Sequence, residues 1–393
     1  MEYWRSLPVD VAEEILARFP AKTVARLRST SKQWNALLKY WSFAKIHSAK
    51  APKEESLVIS LIHSRVCLVR IDLRGDHDNK FSPSAKVASQ LYLKVPFSNS
   101  SQVNIREVFH CDGLLLCTTK DSRLAVWNPC SGETKWAKPR VSYKESDYYA
   151  LGYEQNSLCK QYKILRVDRQ DIQIKNEYEI YDFTSNSWRV VGVATDWFLG
   201  EYRRGISVKG ITYWGSTQVE TPHVEFLLSF DFSTERFQSL SLPLSHPFPY
   251  SIAALSVVGE KHLFLLCTAC KFWITGTLEV NDFQVWVANN TGSVGSWRKS
   301  LGVGFYRGKK YPNGMSFLVD EQNEVVMYLG DNNILHIVCK DKYTYTQIEG
   351  DTLGGDSTCT SSSCSVLLNY VPSLAQIQQG GGRKRKTPST CDL

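Results

Sequence analysis

A hairpin pattern that recurs about every fifty residues most constrains how the larger part of this chain can fold. Each copy has an apolar strand, a turn rich in Asn, Asp, Ser, Thr and Gly, and an aromatic residue that opens the return strand. The clearest copies are centred on Trp127, Tyr181, Phe230 and Trp286, which lie 49 to 56 residues apart. A period near fifty residues is the length of a four-stranded propeller blade. With weaker copies near Arg70 and Ile337, the pattern predicts six blades.

A second strand pair with a tight turn lies between successive hairpins, at residues 206–214, 255–264 and 317–326. Two hairpins per repeat are what a four-stranded blade requires. We therefore expect an all-β propeller over residues 55–372, with residues 366–370 as a last strand that closes it. The aromatic residues that open the return strands should pack between neighbouring blades, where a large ring buries about 150 to 250 Å².

The first fifty residues show helical rather than strand periodicity. Val11, Ile15 and Phe19 recur at four-residue spacing, which predicts an apolar stripe on one helix with Leu16 beside it. Asp10 is the expected N-cap of this helix. The polar face is expected to carry Asp10, Glu13, Glu14 and Arg18.

Two further short helices are predicted before residue 50. One carries Val24 and Leu27; the other has Ser31 as its N-cap and carries Trp34, Leu37, Leu38 and Trp41. About forty residues are usually too few to enclose a sufficient core, so part of this apolar surface should face a partner. The predicted fold class is therefore α+β multidomain, with a three-helix module at residues 1–50 followed by the propeller.

The N-terminal residues resemble the F-box motif. The match runs through Leu7-Pro8-x-Asp10-Val11, Ile15-Leu16-x-Arg18-Phe19-Pro20 and Arg28 to Trp34, and covers about residues 3 to 48. Thr30-Ser31 departs from the Val-Cys or Val-Ser of many F-boxes, but Lys32 and Trp34 stand in place. The alternative is that residues 1–50 are an ordinary helical cap on the following domain.

The propeller segment is similar to the plant F-box-associated interaction domain of the kelch-like type. The resemblance covers most of residues 55–345 and rests on the order of its motifs, which are Cys111-Asp112-Gly113-Leu114, Val126-Trp127-Asn128-Pro129, Tyr149 to Tyr153 and Gly295-Ser296-Trp297. The two resemblances together imply a non-catalytic substrate-recognition subunit of a Skp-cullin-F-box ubiquitin ligase. The second function class that we consider is a propeller enzyme or a small-ligand or glycan-binding protein, with the helices as decoration.

The F-box resemblance implies which residues bind a Skp-type adaptor and, through it, a cullin. They are Leu7, Pro8, Val11, Ile15, Leu16, Val24, Leu27, Lys32 and Trp34. A substrate protein is expected to bind connecting loops that mix aromatic with polar or proline residues, at residues 141–148, 195–204 and 243–250. The candidate contacts there are Tyr148, Trp197, Phe198, Tyr202, Phe248 and Tyr250. The alternative is that these aromatic residues fold back as blade packing.

Three other motifs give no catalytic, metal-binding or cofactor-binding residue. Cys267-x-x-Cys270 has zinc-ligand spacing but no second pair of ligands at a matching distance. Adjacent residues of His110-Cys111-Asp112 alternate faces on a strand and cannot converge on one reacting atom. The glycines at 302, 304 and 308 do not open a helix after a strand, as a phosphate loop would.

Charge and composition limit the remaining partners. The net charge of +7 includes Arg383, Lys384, Arg385 and Lys386, so the rest of the chain is nearly balanced and does not suggest a nucleic-acid partner. This basic run, in a tail at residues 373–393 that we expect to be disordered, is either a nuclear import signal or a solvated charge run. No apolar run is long enough to span a membrane, and no secretory signal is recognisable. The eleven cysteines therefore indicate reduced thiols in the nucleus or the cytoplasm.

Overall fold

The structure is a computed structural model of the 393-residue chain. It describes residues 7–38, 41–52, 57–73, 83–93, 95, 103–138, 144, 147–155, 160–168, 176–199, 204–221, 225–242, 250–258, 261–272, 278–288, 296–304, 315–339, 342–349 and 366–377.

Four helices, rather than the three predicted, make up the described part of the N-terminal module. They are α1 (Val9–Leu16), α2 (Ala21–Leu27), α3 (Lys32–Leu38) and α4 (Trp41–Lys50). Trp41, predicted in the third helix, is the first residue of the fourth. Both helices that follow a proline begin directly after it, since Pro8 and Pro20 have extended backbones at ψ 144° and 143°.

Helix capping differs from the sequence prediction at one helix and agrees at another. Asp10 is not the N-cap of α1, because the helix begins at Val9 and its N-cap is Pro8, two residues before Asp10, which offers no side-chain hydrogen bond. Ser31 does cap α3, since its Oγ accepts a hydrogen bond from Trp34 N–H at 3.1 Å.

The rest of the described chain is mainly β-structure, with a short 3₁₀ helix at Asp331–Asn333. In chain order the strands are β1 (Leu57–Ile62), β2 (Arg65–Asp72), β3 (Ser84–Leu91), β4 (Ile105–Cys111), β5 (Leu114–Thr119), β6 (Leu124–Trp127), β7 (Thr134–Ala137), β8 (Tyr148–Gln155), β9 (Lys160–Asp168), β10 (Asn176–Asp182), β11 (Ser187–Ala194), β12 (Trp197–Leu199), β13 (Ile206–Val208), β14 (Ile211–Gln218), β15 (Glu225–Asp231), β16 (Arg236–Leu240), β17 (Tyr250–Val258), β18 (His262–Phe272), β19 (Leu278–Ala288), β20 (Trp297–Gly304), β21 (Phe317–Asp320), β22 (Val325–Leu329), β23 (Ile334–Cys339), β24 (Lys342–Gln347) and β25 (Leu367–Tyr370).

These strands form the six antiparallel blades that the fifty-residue period predicts. Blade 1 has the order β25-β1-β2-β3, and blades 2 to 6 follow as β4 to β7, β8 to β11, β12 or β13 to β16, β17 to β20 and β21 to β24. All six copies of the repeat fall on the third strand of a blade, as Trp127 does on β6 and Phe230 on β15. The ring is closed by β25, which pairs with β1 from Leu57 opposite Tyr370 to Ser60 opposite Leu367.

Apolar clusters between neighbouring blades hold the ring together. The aromatic residue that opens the fourth strand packs toward the preceding blade, as expected from the sequence. Trp188 Nε1 donates to Lys138 O at 2.6 Å, and Trp297 Nε1 donates to Ser241 O at 3.3 Å. The rings of Trp188 and Trp297 are therefore held by packing and by one hydrogen bond each to the neighbouring blade.

Strand direction sorts the connections into two ends of the propeller. In an antiparallel four-stranded blade, the connection from first to second strand and the connection from third to fourth lie at the same end. The connection from second to third strand and the crossover to the next blade lie at the other. We call the first the helix-side end, because the turn at Cys130 packs against the helices there, and the second the far end.

Candidate protein-binding surface

An apolar stripe on the first helix is the clearest candidate for binding another protein. We define it as Pro8, Val11, Ile15 and Phe19, which follow each other at three- or four-residue spacing and so share one side of α1 and its extension. Val11 is 38% exposed and Phe19 42%, and Ile15 between them is half-buried. Large apolar residues grouped on one exposed side indicate a protein contact.

The opposite side of α1 builds the core of the helical module. Leu16 and Ala17 pack there with Val24, Leu38 and Phe43. Glu13, predicted on the polar face, is buried on this side instead. It lies one helical turn from Ala17 and on the same side as Leu16, so helix geometry places it inward whatever its charge.

Polar contacts between α1 and α4 hold the apolar stripe in place. The Glu14 carboxylate accepts hydrogen bonds from Lys50 of α4 and from Arg18 at 3.0 Å. These two bonds, that from Lys50 first, lower the pKa of Glu14, which therefore stays ionised.

His47 fixes the chain at the Phe19 end of the stripe. Its Nε2 lies 2.9 Å from Phe19 O, and the ring is buried beside Phe43. Burial lowers the pKa of His47, although the bond to the carbonyl acts in the opposite direction. A neutral ring that donates from Nε2 satisfies the geometry.

The residues predicted to bind an adaptor divide into three groups by burial. Pro8, Val11 and Lys32 are exposed, and Leu7, Ile15, Leu27 and Trp34 are half-buried. Leu16 and Val24 are buried in the helical core. The first two groups offer surface to a partner, whereas Leu16 and Val24 hold the helices together in this structure and offer none.

The connections predicted to bind a substrate lie where the chain crosses from one blade to the next. Residues 141–148 and 243–250 link β7 to β8 and β16 to β17, and residues 195–204 run from the end of β11 through β12 toward β13. The strands that flank them end or begin at the far end, away from the helices. Tyr148 and Phe198 are half-buried there. Tyr202, Phe248 and the side chain of Tyr250 lie outside the described residues.

Trp197 is not available as a substrate contact. Its side chain is buried in the cluster between blades 3 and 4, with the Phe237 ring centroid 4.7 Å away. The prediction that Trp197 faces a substrate is therefore wrong for this structure, because a large ring beside an apolar cluster gains more from burial than from exposure.

A buried ionic cluster supports the far end next to Tyr148. Arg166 Nε donates to Asp147 Oδ2 at 2.9 Å, and its Nη1 donates to Glu179 Oε2 at 3.1 Å. Burial by itself would lower the pKa of Arg166, but these hydrogen bonds outweigh it and raise the pKa. Since loss of one partner would leave a buried charge uncompensated, the cluster holds the start of β8 rigidly against β9 and β10.

Sites for metal or thiol chemistry find no support in the described residues. Within those residues, no group of three or more His, Cys, Asp and Glu could hold a metal ion. Cys267 is buried, and burial raises the pKa of its thiol to about 12, so it is not a reactive thiolate. The side chain of Cys270 lies outside the described part of the chain. Every described helix is too short or too polar to cross a bilayer.

Residues 373–377, assigned to the tail in the sequence analysis, are packed in the structure. Leu374 and Ile377 are buried, and Asn128 donates hydrogen bonds to Ser373 O and Ala375 O. Sequence reasoning missed Asn128 as a contact residue. A signal was present, since the matching positions in blades 3 and 4 are Asp182 and Asp231. The basic run at residues 383–386 lies outside the described residues.

Comparison with known families gives two matches along the chain. Residues 4–45 match the F-box domain, and residues 57–377 match the F-box associated beta propeller domain.

Relatives with provisional names as F-box proteins match along nearly their whole length. One from Arabidopsis thaliana is 52% identical over 95% of this chain and 99% of its own, and a second is 48% identical over 95% and 97%. A further Arabidopsis thaliana relative, named as an F-box/kelch-repeat protein, is 37% identical over 94% and 98%. Among solved structures, an oligogalacturonate lyase in complex with manganese has a TM-score of 0.37 at 11% identity, over 75% of this chain and 76% of the lyase. That likeness is too distant to bear on function.

Proposed function

Because the chain belongs to the F-box proteins that carry an F-box associated beta propeller domain, we propose that it is the substrate-recognition subunit of a Skp-cullin-F-box ubiquitin ligase. The helices bind a Skp-type adaptor, and the adaptor links the chain to a cullin. The far end of the propeller holds a substrate protein. The finer assignment of the propeller to the kelch-like type remains part of this proposal.

The mechanism is proximity rather than chemistry by this chain. Holding a substrate beside a ubiquitin-loaded conjugating enzyme converts an encounter in solution into a reaction within one complex. The chain needs two binding surfaces for this purpose, and it supplies them at opposite ends of the propeller.

The observation that carries the proposal is the exposure of the apolar stripe. Val11 and Phe19 are exposed although they belong to a helix whose other side is fully packed. Burying them against an apolar adaptor surface would contribute about 1 kcal/mol each, since each is already partly covered.

Replacing Val11 and Phe19 together by Ser tests the adaptor surface. We expect the double variant to bind the adaptor roughly thirtyfold more weakly, since about 2 kcal/mol of apolar burial is lost. Isothermal titration with a purified Skp-type adaptor measures the change. Fold should be retained, because both residues lie outside the helical core.

A matched control uses two other exposed valines. Val190 and Val193 are 42% and 44% exposed on β11, the outer strand of blade 3. Changing both to Ser removes similar apolar area far from the helices, and adaptor affinity should stay within about twofold. Equal affinity for the wild type and the Val11/Phe19 variant would refute the proposed adaptor surface.

The location in the nucleus or the cytoplasm is also a proposal. It is supported by a ligase role that requires access to other soluble proteins, and the run Arg383 to Lys386 has the composition of an import signal. Replacing these four residues by Ala in a fluorescent fusion, and imaging the nuclear fraction, tests the import role.

A further inference from the structure

The residues that follow the last strand connect the propeller with the helices. We call residues 371–377 the C-terminal strap. They leave β25 at the helix-side end and pass the first hairpin turn of blade 2, where Gly113 closely approaches Ser373 and Val371 O. A Cβ on Gly113 would collide with Ser373, and Gly113 also has a φ of +76°.

Two apolar residues of the strap enter two different cores. Leu374, only 3% exposed, packs with Leu16, Val24, Leu38 and Phe43 in the core of the helical module. Ile377 is buried in the cluster between blades 2 and 3. The core of the N-terminal module is thus completed by a residue near the other end of the chain.

Asn128 fixes the strap with its side-chain amide. The buried Nδ2 donates to Ser373 O at 3.0 Å and to Ala375 O at 2.8 Å. Its Oδ1 accepts from Cys130 N–H at 2.8 Å and from Ser131 N–H at 3.2 Å within the turn. Both amide hydrogens and the carbonyl oxygen are therefore used.

The corresponding turns of blades 3 and 4 use only half of this arrangement. Asp182 Oδ1 accepts from Thr184 N–H at 2.6 Å, and Asp231 Oδ1 accepts from Ser233 N–H at 2.8 Å. An acceptor alone holds the turn, so aspartate suffices there. The strap runs over the turn of blade 2, and its carbonyls require a donor, which only the amide provides.

We propose that the C-terminal strap is the positioning element that fixes the helical module against the propeller, and that the module is complete only after β25 has closed the ring. The strap supplies orientation, because it is anchored to blade 2 and to the helical core at once. The strap also follows β25 directly in the sequence, so a chain synthesised only as far as β25 lacks Leu374 in the helical core.

Hydrogen exchange on the full-length chain, followed by mass spectrometry, tests the proposal with Leu374→Ser. Peptides from α1 to α4 should exchange at least about tenfold faster, because the module loses a buried leucine side chain from its core. Peptides from β14 and β15 of blade 4, remote from the strap, should exchange as in the wild type.

Asn128→Asp is the second variant, and it separates the strap from the turn. It retains the Oδ1 acceptor that blades 3 and 4 also use, but it replaces the donor by a carboxylate oxygen that faces two carbonyls. Exchange in the helices should again accelerate by about tenfold. Asp231→Asn, the reverse change in blade 4, is the matched control and should leave helix exchange within about twofold.

Two results would overturn the proposal. One is unchanged helix exchange in both variants. The other is that, in both variants, hydrogen exchange accelerates equally in the helices and in blade 4. That result would make the strap a general part of the propeller core. Any effect of the strap on adaptor binding rests on the function proposed above. The proposed function and the proposed role of the strap can, however, be refuted separately. A wild-type chain that binds no adaptor refutes that function, while the exchange data still decide the role of the strap.

Discussion

His110 shows how a single half-buried side chain can make the stability of the propeller depend on pH. Its Nε2 accepts a hydrogen bond from Gly113 N–H at 3.1 Å, and its ring meets Tyr370 edge-on with centroids 5.8 Å apart. Burial lowers the pKa of His110 to about 4, although Asp112 acts in the opposite direction. A protonated ring would carry a donor on Nε2 where the structure requires an acceptor.

The expected pH dependence follows from a folded-state pKa that lies below the unfolded one. In the unfolded chain His110 takes up a proton near pH 6.5, whereas in the folded chain it takes up the proton only near pH 4. The stabilisation is therefore complete above pH 6.5 and is lost as the pH falls to about 4. Because the side chain keeps some exposure, we expect a loss of about 2 kcal/mol. Urea unfolding midpoints at pH 7.5, 5.5 and 4.5 measure it.

His110→Gln is the comparison variant for this titration, because its amide oxygen can accept the bond from Gly113 and does not titrate. The difference in unfolding free energy between the wild type and the variant should become smaller as the pH falls from 7.5 to 4.5. A difference that is constant over this range would show that His110 is not responsible.

The hairpin turns are the elements that let neighbouring blades approach closely. The turn between β13 and β14 has two residues, Lys209 and Gly210, with φ of 52° and 81°, as a type I′ turn requires. A Cβ at Gly210 would lie 2.5 Å from Tyr153 O of blade 3. Gly210 thus satisfies both a backbone conformation and a contact between blades.

Two glycine substitutions separate these requirements. Gly132 has a similar φ of +76°, but a Cβ there would meet no atom within 4 Å. Gly132→Ala should therefore destabilise by about 1 kcal/mol through the backbone alone. Gly210→Ala should cost about 2 kcal/mol more, because Tyr153 or the turn must shift. Shifts in thermal unfolding midpoint measure both, and equal shifts would disprove the steric contribution of Tyr153.

At the scale of the whole molecule, ring closure and the C-terminal strap decide how the two proposed binding surfaces are oriented. β25 pairs with β1 and so joins the last blade segment to the first. The strap then continues to the helices at one end, while Tyr148 and Phe198, near the starts of β8 and β12, lie at the far end. Adaptor and substrate would therefore bind at opposite ends.

A pair of truncated chains tests the separate roles of β25 and the strap. A chain of residues 1–377 keeps both and should unfold like the full-length protein, which also makes it the control for loss of the basic tail. A chain of residues 1–370 keeps β25 but loses Leu374 and Ile377, so its helices should unfold at a lower temperature while the β-structure persists. Circular dichroism at helix and strand wavelengths measures this, and identical melting of the two chains would contradict the prediction.

Residue patterns predicted a large part of this fold and part of its surfaces. The copies at Trp127, Tyr181 and Phe230 led to the correct number of blades, because each blade buries the same strand positions. The spacing of Val11 and Ile15 correctly predicted that they share one side of a helix, and that side lies outside the helical core. Burial could not be predicted in the same way. Leu16 beside that stripe and Trp197 in a polar loop looked available to partners, yet neighbours distant in sequence cover them.

The amino-acid sequence by itself determined the local and periodic features of the fold. These are the helices, the hairpins and the fifty-residue repeat, together with the prolines that precede helices and the glycines in the turns. Such features depend on backbone preference and on spacing along the chain. Only the tertiary structure decided that Glu13 faces inward, that Trp197 is covered and that Leu374 joins the core of helices more than three hundred residues earlier. These outcomes depend on which distant segments meet when the ring closes, because burial is a property of the assembled surface rather than of any residue type.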